Sequence, residues 1–371
     1  MENTKKPSIL YVTTSIGPGY GMDRLEQLKK FFRINCIILD IGMRERISID
    51  EIQIEYITFN KFNKILSLNK ILRNINFIFK ACNTIKKTSY DVYVIHNSYL
   101  VFIYPLLFRN KIFVNHTITG NITSNIFTRN LNDFVNLKMN TWFYKYVFII
   151  SESLREKLKI PKSKTYVIGW GAKQNSLTNK KWNYIHLIYV GTFLYRNMEQ
   201  TIIGFNKFYQ KHKNDISIKY TIMGSGRKIE EEMIKDYINK FQLHKIVEYL
   251  GRTNDSELAS YLDFCNVGVS FVPITTYFNY QPVTKLFEYN LSGIPVIATK
   301  TYEQLKNVNE SNGVLIDDNA DSFYDGLEEL LRKKNLYSSN VIRETVEQYK
   351  WENIMQIFRD AIYDIIRREE K

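Results

Sequence analysis

The sequence predicts an α/β fold made of two Rossmann-like domains, each built on a parallel sheet. Three observations carry that reading. Short runs of β-branched and aromatic residues alternate with longer segments of helical period throughout the chain, as βαβ units require. The alternation opens twice on an apolar strand that enters a glycine-bearing turn and then a helix, in SILYVTTSIGPGYGMDRLEQL and again in HLIYVGTFLYRNMEQTIIGF. Between the two openings lies AKQNSLTNKKWNY (172–184), polar and without period, which reads as a linker. The length of 371 residues exceeds one ordinary core and suits two domains of about 150 residues each.

The elements follow in order. Ile9–Val12 is the opening strand, residues 17–21 form a Gly-rich turn, and a helix begins near Asp23 with Leu25 and Leu28 on it. NCIILDI (35–41) and the weaker IEYITF (54–59) are the next strands, and a helical pattern runs from Leu66 to Thr84. YDVYVIH (90–96), KIFVNH (111–116), YVFIIS (146–151) and TYVIGWG (165–171) are strands by composition. In the second half the strands are HLIYVG (186–191), ISIKYTIMGSG (216–226, ending in a turn), KIVEYLG (245–251), VGVSFVP (267–273) and IPVIAT (294–299). From Thr345 onward Ile354, Ile357, Phe358, Ala361, Ile362 and Ile365 repeat at helical spacing. The expected boundaries are therefore 1–171, a linker at 172–184, 185–344, and a helix in 345–371 that crosses back to the first domain. A ligand belongs at the carboxyl ends of the strands, in the cleft between two facing domains.

Charge is unevenly distributed. Residues 1–180 carry 27 Lys and Arg against 12 acids, a net of +15, while residues 181–371 carry 24 against 26, a net of −2. The first domain is thus expected to meet something anionic, such as a phosphorylated lipid or an anionic membrane surface. The charge is diffuse and no recognition module accompanies it, which argues against nucleic acid. No stretch approaches the ~20 apolar residues of a membrane span, and MENTKKPSILYVTTS has too short an apolar run for a signal peptide. Cys36, Cys82 and Cys265 lack metal or redox spacing and read as reduced core residues. The expected location is cytoplasmic, peripheral at the inner face of the cell membrane.

Two regions could carry chemistry. Gly17, Gly19 and Gly21 form GPGYG; the spacing is not GxGxxG, so a nicotinamide site is not indicated. Such a turn lets backbone approach a ligand beside a helix N-terminus, here in the first domain, although a plain tight turn fits equally. In PVTKLFEYNLSGIPVIATK a helix is expected over 284–292. The free N–H groups of Thr284 to Leu286, with Lys285, would seat a phosphate. Glu288, one turn on, could accept two ribose hydroxyls. Gly293 suits a left-handed helix end before Pro295. A simple i,i+3 ion pair between Lys285 and Glu288 fits the same spacing. Gly224 and Gly226, in TIMGSGR, place small residues at another strand end.

VTKLFEYNLSGIPVIAT resembles the K-L-F-E-Y-x-x-x-G-x-P-V-I-A segment of retaining GT-B glycosyltransferases, in particular family 4 (glycosyl transferases group 1). TYVIGWGAKQN, YVGTFLYRNMEQTIIGF, YTIMGSGRKIEEEM and VEYLGRTNDSELASYLDFCNVGV resemble further pieces of that family in its order, so the match covers nearly all of 145–371 and is vaguer before it. The resemblance implies a GT-B fold, two Rossmann-like domains facing across a cleft, and transfer of a sugar from a nucleotide donor. Glu288 resembles the second glutamate of the E-x7-E motif, which holds the donor ribose, and Lys285 the lysine near the diphosphate. Gly191 opens the donor-phosphate loop, where Arg196 stands in for the usual basic residues; Thr192, Asn197 and Met198 occupy positions where the family has others. Gly224, Gly226, Val283 and Thr284 complete the donor side. His116, in VNHT, resembles the cleft histidine near the transferred sugar, beside its reading as a structural strand-end histidine. Tyr280 stands where the first glutamate is expected, and the adjacent Gln281 could bond a sugar hydroxyl.

The resemblance further implies a donor that is UDP-linked, no essential metal or other cofactor, and a retaining, same-face mechanism. Lys285, Arg196 and the N–H groups near residue 284 would stabilise the departing phosphate, while Asp317–Asp318 reads as a solvated turn. The acceptor would be a glycan or a polyprenyl-diphosphate-linked saccharide in bacterial surface polysaccharide synthesis. Lys61, Lys64, Lys70 and Arg73 near Phe77–Phe79, and the aromatic stretch 126–146, could meet anionic headgroups or pack as ordinary helices. A sugar-nucleotide epimerase of similar fold and an inactive sugar-nucleotide-binding partner are the alternative readings.

Overall fold

The computed structural model describes residues 6–14, 20–40, 42, 45–59, 66–96, 98, 100–117, 134–253 and 255–371. The chain divides into two compact units, one of Met1–Gly171 with Trp351–Lys371 and the other of Ala172–Lys350.

The first unit holds β1 (Ser8–Thr13), β2 (Arg33–Asp40), β3 (Gln53–Thr58), β4 (Val92–His96), β5 (Phe113–Thr117), β6 (Tyr146–Ile149) and β7 (Thr165–Val167). They form one parallel sheet in the order β3-β2-β1-β4-β5-β6-β7. Strands buried on both faces read as unbroken apolar runs, as in Val92–Ile95. Edge strand β3 instead alternates, with Gln53 and Glu55 exposed, which suits an unpaired edge. After β6, Ser151 accepts from the Leu154 N–H to cap the helix Glu152–Leu158. The final helix, Trp351–Glu369, belongs to this unit. It buries Ile354, Phe358, Ala361, Ile362 and Ile365, and sets Phe358 edge-on to Phe148 at 4.9 Å. It begins at Trp351 and not at Thr345, because the short helix Ser339–Glu344 and a 3-10 turn at Glu347–Tyr349 precede it.

The second unit holds β8 (Tyr184–Val190), β9 (Ser217–Met223), β10 (Val247–Gly251), β11 (Val267–Ser270), β12 (Val296–Thr299) and β13 (Gly313–Ile316), parallel in the order β10-β9-β8-β11-β12-β13. Phe205 and Phe208 of the helix Glu199–His212 pack with Tyr220, Ile222, Phe323 and Leu327 in its core. Residues 172–184 contain no regular element before β8, yet they are tied to this unit. Ser176 donates to Asp263 at 2.6 Å, Lys180 to the Leu262 carbonyl at 2.7 Å, and Asn266 to the Lys181 carbonyl at 2.7 Å. In both sheets the chain lays strands outward on one side of the first strand and then returns to the other. The switch falls between β1 and β4 in one unit and between β8 and β11 in the other, and it is there that open α/β sheets bind ligands.

Candidate functional site

At the second unit's switch, β8 leaves at Val190 into Gly191. β11 leaves at Ser270 into residues 271–283, which deliver the helix Thr284–Leu291. The two exits meet where the Arg196 guanidinium lies 4.4 Å above the Phe278 ring, within cation–π range. Burial draws the Arg196 pKa below its ordinary value, although an arginine remains a cation throughout the working pH range. Three buried atoms here have no hydrogen-bond partner among the described residues: Arg196 Nε, Asn279 Oδ1 and Gln281 Oε1. Buried polar atoms are nearly always satisfied, so their gathering along two adjoining exits marks a place suited to a polar ligand. Tyr280 turns aside, its ring edge-on to Tyr302 at 5.4 Å.

The loop holding Arg196 is fixed from below. Gly191 N–H donates to the Met223 carbonyl and Phe193 N–H to the Ser225 carbonyl, each at 3.0 Å. Tyr195 and Asn197, on either side of Arg196, both adopt positive φ (55° and 51°), a sparsely populated conformation for such residues. Glu230 holds the loop by accepting from Tyr195 N–H at 3.0 Å and from Arg227 at 2.7 Å. Gly224 has φ +148°, and a Cβ there would stand 1.7 Å from the Gly191 oxygen. Gly224 therefore lets the β8 and β9 exits touch. Gly226 packs likewise against Phe193 and Glu230.

Val283, extended, is the N-cap of the helix Thr284–Leu291; no side chain caps it and its first turn has no acid, so its leading N–H groups suit an anion. Tyr289 ties this helix to β8 by accepting the Val190 N–H at 2.8 Å. Lys285 donates to Glu288 Oε2 at 2.5 Å. Glu288 is 4% exposed and the Lys285 side chain 23%. The i,i+3 pair thus exists but is no surface pair. Gly293 closes the helix at φ +72°. Asp318 accepts the Ile274 N–H at 2.8 Å and Asp317 pairs with Lys300 at 3.4 Å. Among the described residues no three His, Cys, Asp or Glu gather as metal ligands.

In the first unit, His116 on β5 is buried, and its Nδ1 lies 2.7 Å from the Tyr11 hydroxyl. Arg24 Nη1 donates to that hydroxyl at 3.1 Å. Tyr11, accepting from Arg24, donates its own proton to Nδ1, which leaves the imidazole proton on Nε2. Burial, then the Arg24 charge, then His96 push the His116 pKa well below the ordinary value. Burial and Arg24 take His96 down to about 3. Both rings are neutral; they stand in register on β4 and β5, centroids 5.6 Å apart. Gly21 lies in the helix Tyr20–Leu28; Gly17, Gly19, Lys61 and Lys64 lie outside the described residues, as does 126–133 of the aromatic stretch. Sequence reasoning missed His96 and Arg24. The signal for His96 was its place at a strand's carboxyl end beside the switch; Arg24, in an amphipathic helix, gave none.

Residues 184–333 match the family described as glycosyl transferases group 1. Solved structures resemble the whole chain. Sucrose-phosphate synthase from Thermosynechococcus elongatus has a TM-score of 0.71 at 14% identity, covering 97% of this chain and 100% of that one. Anabaena HepE in complex with UDP-glucose has 0.72 at 14%, covering 96% and 99%. A glycosyltransferase from Rickettsia africae has 0.68 at 15%, covering 97% and 99%. These likenesses establish the GT-B fold. No curated protein matches the chain in sequence.

Proposed function

We propose that this chain, a GT-B-fold protein belonging to the glycosyl transferases group 1 through its second unit, is a retaining glycosyltransferase of family 4 that moves a sugar from a UDP-linked donor to a saccharide acceptor. The observation that carries the reading is the meeting of Arg196 with the loop into the Lys285–Glu288 helix, all inside the family-matched segment. HepE, solved with UDP-glucose, supports the uridine donor. Glu288 accepts the ribose hydroxyls. Lys285 and the first-turn N–H groups from Thr284 hold the diphosphate, and Arg196 stabilises the charge that grows on the departing β-phosphate. Gln281 accepts a hydroxyl of the donor sugar in place of the carboxylate that Tyr280 displaces.

His116, fixed by Tyr11 in its Nε2–H tautomer, donates toward the sugar. The leaving phosphate takes the acceptor hydroxyl's proton on the same face, so configuration is retained. The side-chain cations supply the compensation for which a divalent metal would otherwise serve. The acceptor is a lipid-linked saccharide of bacterial surface polysaccharide synthesis, met at an anionic membrane. Supporting this are the net positive first half and exposed Leu106, Leu107, Phe134, Trp142 and Phe143, with Phe134 and Trp142 in ring contact at 5.7 Å. No described helix is long and apolar enough to cross a membrane.

The test is calorimetric titration with UDP-, GDP-, ADP- and CMP-linked sugars, with and without EDTA. Selective, EDTA-insensitive binding of a UDP-sugar is expected. Silence across the panel overturns the reading.

A further inference from the structure

We infer that Arg24 is the seat of an oxyanion, a phosphate or carboxylate, carried by the acceptor; the word acceptor rests on the transferase reading above. Arg24 is 5% exposed, yet among the described residues no carboxylate pairs with it. The groups its guanidinium contacts among the described residues are neutral. Nη1 reaches the Tyr11 hydroxyl at 3.1 Å and His116 Nδ1 at 3.4 Å, and the guanidinium lies 4.7 Å over the Trp170 ring. Its Nε is buried with no partner among the described residues, as is Nδ1 of His96. A buried charge is ordinarily matched by a counter-charge, and neither a hydroxyl nor a ring face provides one.

The position is as telling as the isolation. Tyr11 lies on β1, His96 ends β4 and His116 is on β5. The cluster therefore straddles the strands on both sides of the first unit's topological switch, at the end where ligands bind. A guanidinium is a planar fork that matches phosphate and carboxylate oxygens in pairs. The two histidines stay uncharged beside it, so they add polar contacts without competing for the anion. A neutral sugar hydroxyl would leave the charge unmatched, so the geometry points to an acidic or phosphorylated acceptor.

The full chain, saturated with UDP to fill the donor seat, is titrated with inorganic phosphate and separately with acetate at constant ionic strength. Binding of one of them is expected, and which one binds names the anion. Arg24→Gln should abolish it. Arg24→Lys, which keeps the charge but loses the fork, should weaken it about tenfold, and it decides the matter if the Gln variant does not fold. UDP affinity should be unchanged in both. Absence of anion binding by the wild type, or equal binding by Arg24→Lys, overturns the assignment. A parallel loss of UDP affinity gives the seat to the donor diphosphate and also overturns it, while leaving the transferase reading intact. Failure of UDP itself to bind would refute that reading separately.

Discussion

Lys285 and Glu288 have different surroundings, so removing each has a different consequence. Lys285→Ala removes the ammonium that pairs with the buried Glu288 carboxylate, and loss of one member of such a pair costs up to about 3–5 kcal/mol. Urea unfolding should register that loss together with weaker donor binding and slower turnover. Glu288→Ala leaves a lysine whose side chain is 23% exposed and can turn its ammonium to water, so stability falls less. Donor affinity should drop by roughly ten- to a hundredfold, the worth of about 1.5–3 kcal/mol of hydrogen bonds to a charged group, and 2′-deoxy-UDP should lose its disadvantage against UDP. Unaltered affinity would sink the ribose assignment. The placement of these two residues on one helical turn was legible, because the helix start and the i,i+3 spacing can both be read from local sequence. Arg24 and His96 were not: only the order of strands in the sheet brings them to Tyr11 and His116, and strand order is written nowhere in local sequence.

Elements carry a second kind of constraint, in which backbone approaches backbone. Gly224 joins the exits of β8 and β9, and Gly224→Ala would put a methyl 1.7 Å from the Gly191 oxygen at a φ that alanine avoids. A loss of more than 2 kcal/mol is expected by denaturant unfolding, and because the Arg196 loop hangs from the same exits, donor affinity should fall with it. Ser225→Ala, which keeps the backbone bond to Phe193, is the control and should be near neutral. The glycines at the β9 exit read in sequence as small donor-side residues at a strand end; in the structure they also let that exit pack against the loop that presents Arg196. Strand cores were legible from β-branched runs, their ends less so. VGVSFVP reads as one strand, yet the ladder stops at Ser270, and Phe271 and Val272 are buried beyond it by packing. β13, only Gly313–Ile316, was too short to give a period.

At the scale of the molecule, buried histidines make stability depend on mild acid. Burial and then Lys219 hold the His186 pKa at about 4, burial and then Arg24 hold His96 at about 3, and His116 lies well below its ordinary value for the reasons given above. In the unfolded chain each titrates near 6.5. As pH falls below 6.5 the unfolded state binds protons that the native state refuses, so the unfolding free energy falls with pH. The contribution is intact above that point and is lost progressively down to the folded pKa values. Carboxylates with depressed pKa, such as Asp40 and Asp364, act only below their own unfolded values near 4, which leaves pH 7 to 5 to the histidines. Thermal unfolding across that interval should show Tm level at its upper end and falling from about pH 6.5 downward. His186 accompanies Thr221 on the neighbouring strand, its Nε2 2.9 Å from the Thr221 hydroxyl, apart from the residues assigned to donor and anion. His186→Gln should therefore flatten part of the slope without changing UDP affinity, while His116→Gln should flatten another part and reduce turnover. A wild-type Tm that does not move between pH 7 and 5 would mean that these rings reach water or gain partners on protonation, and the neutral Nε2–H tautomer assigned to His116 would lose its electrostatic basis.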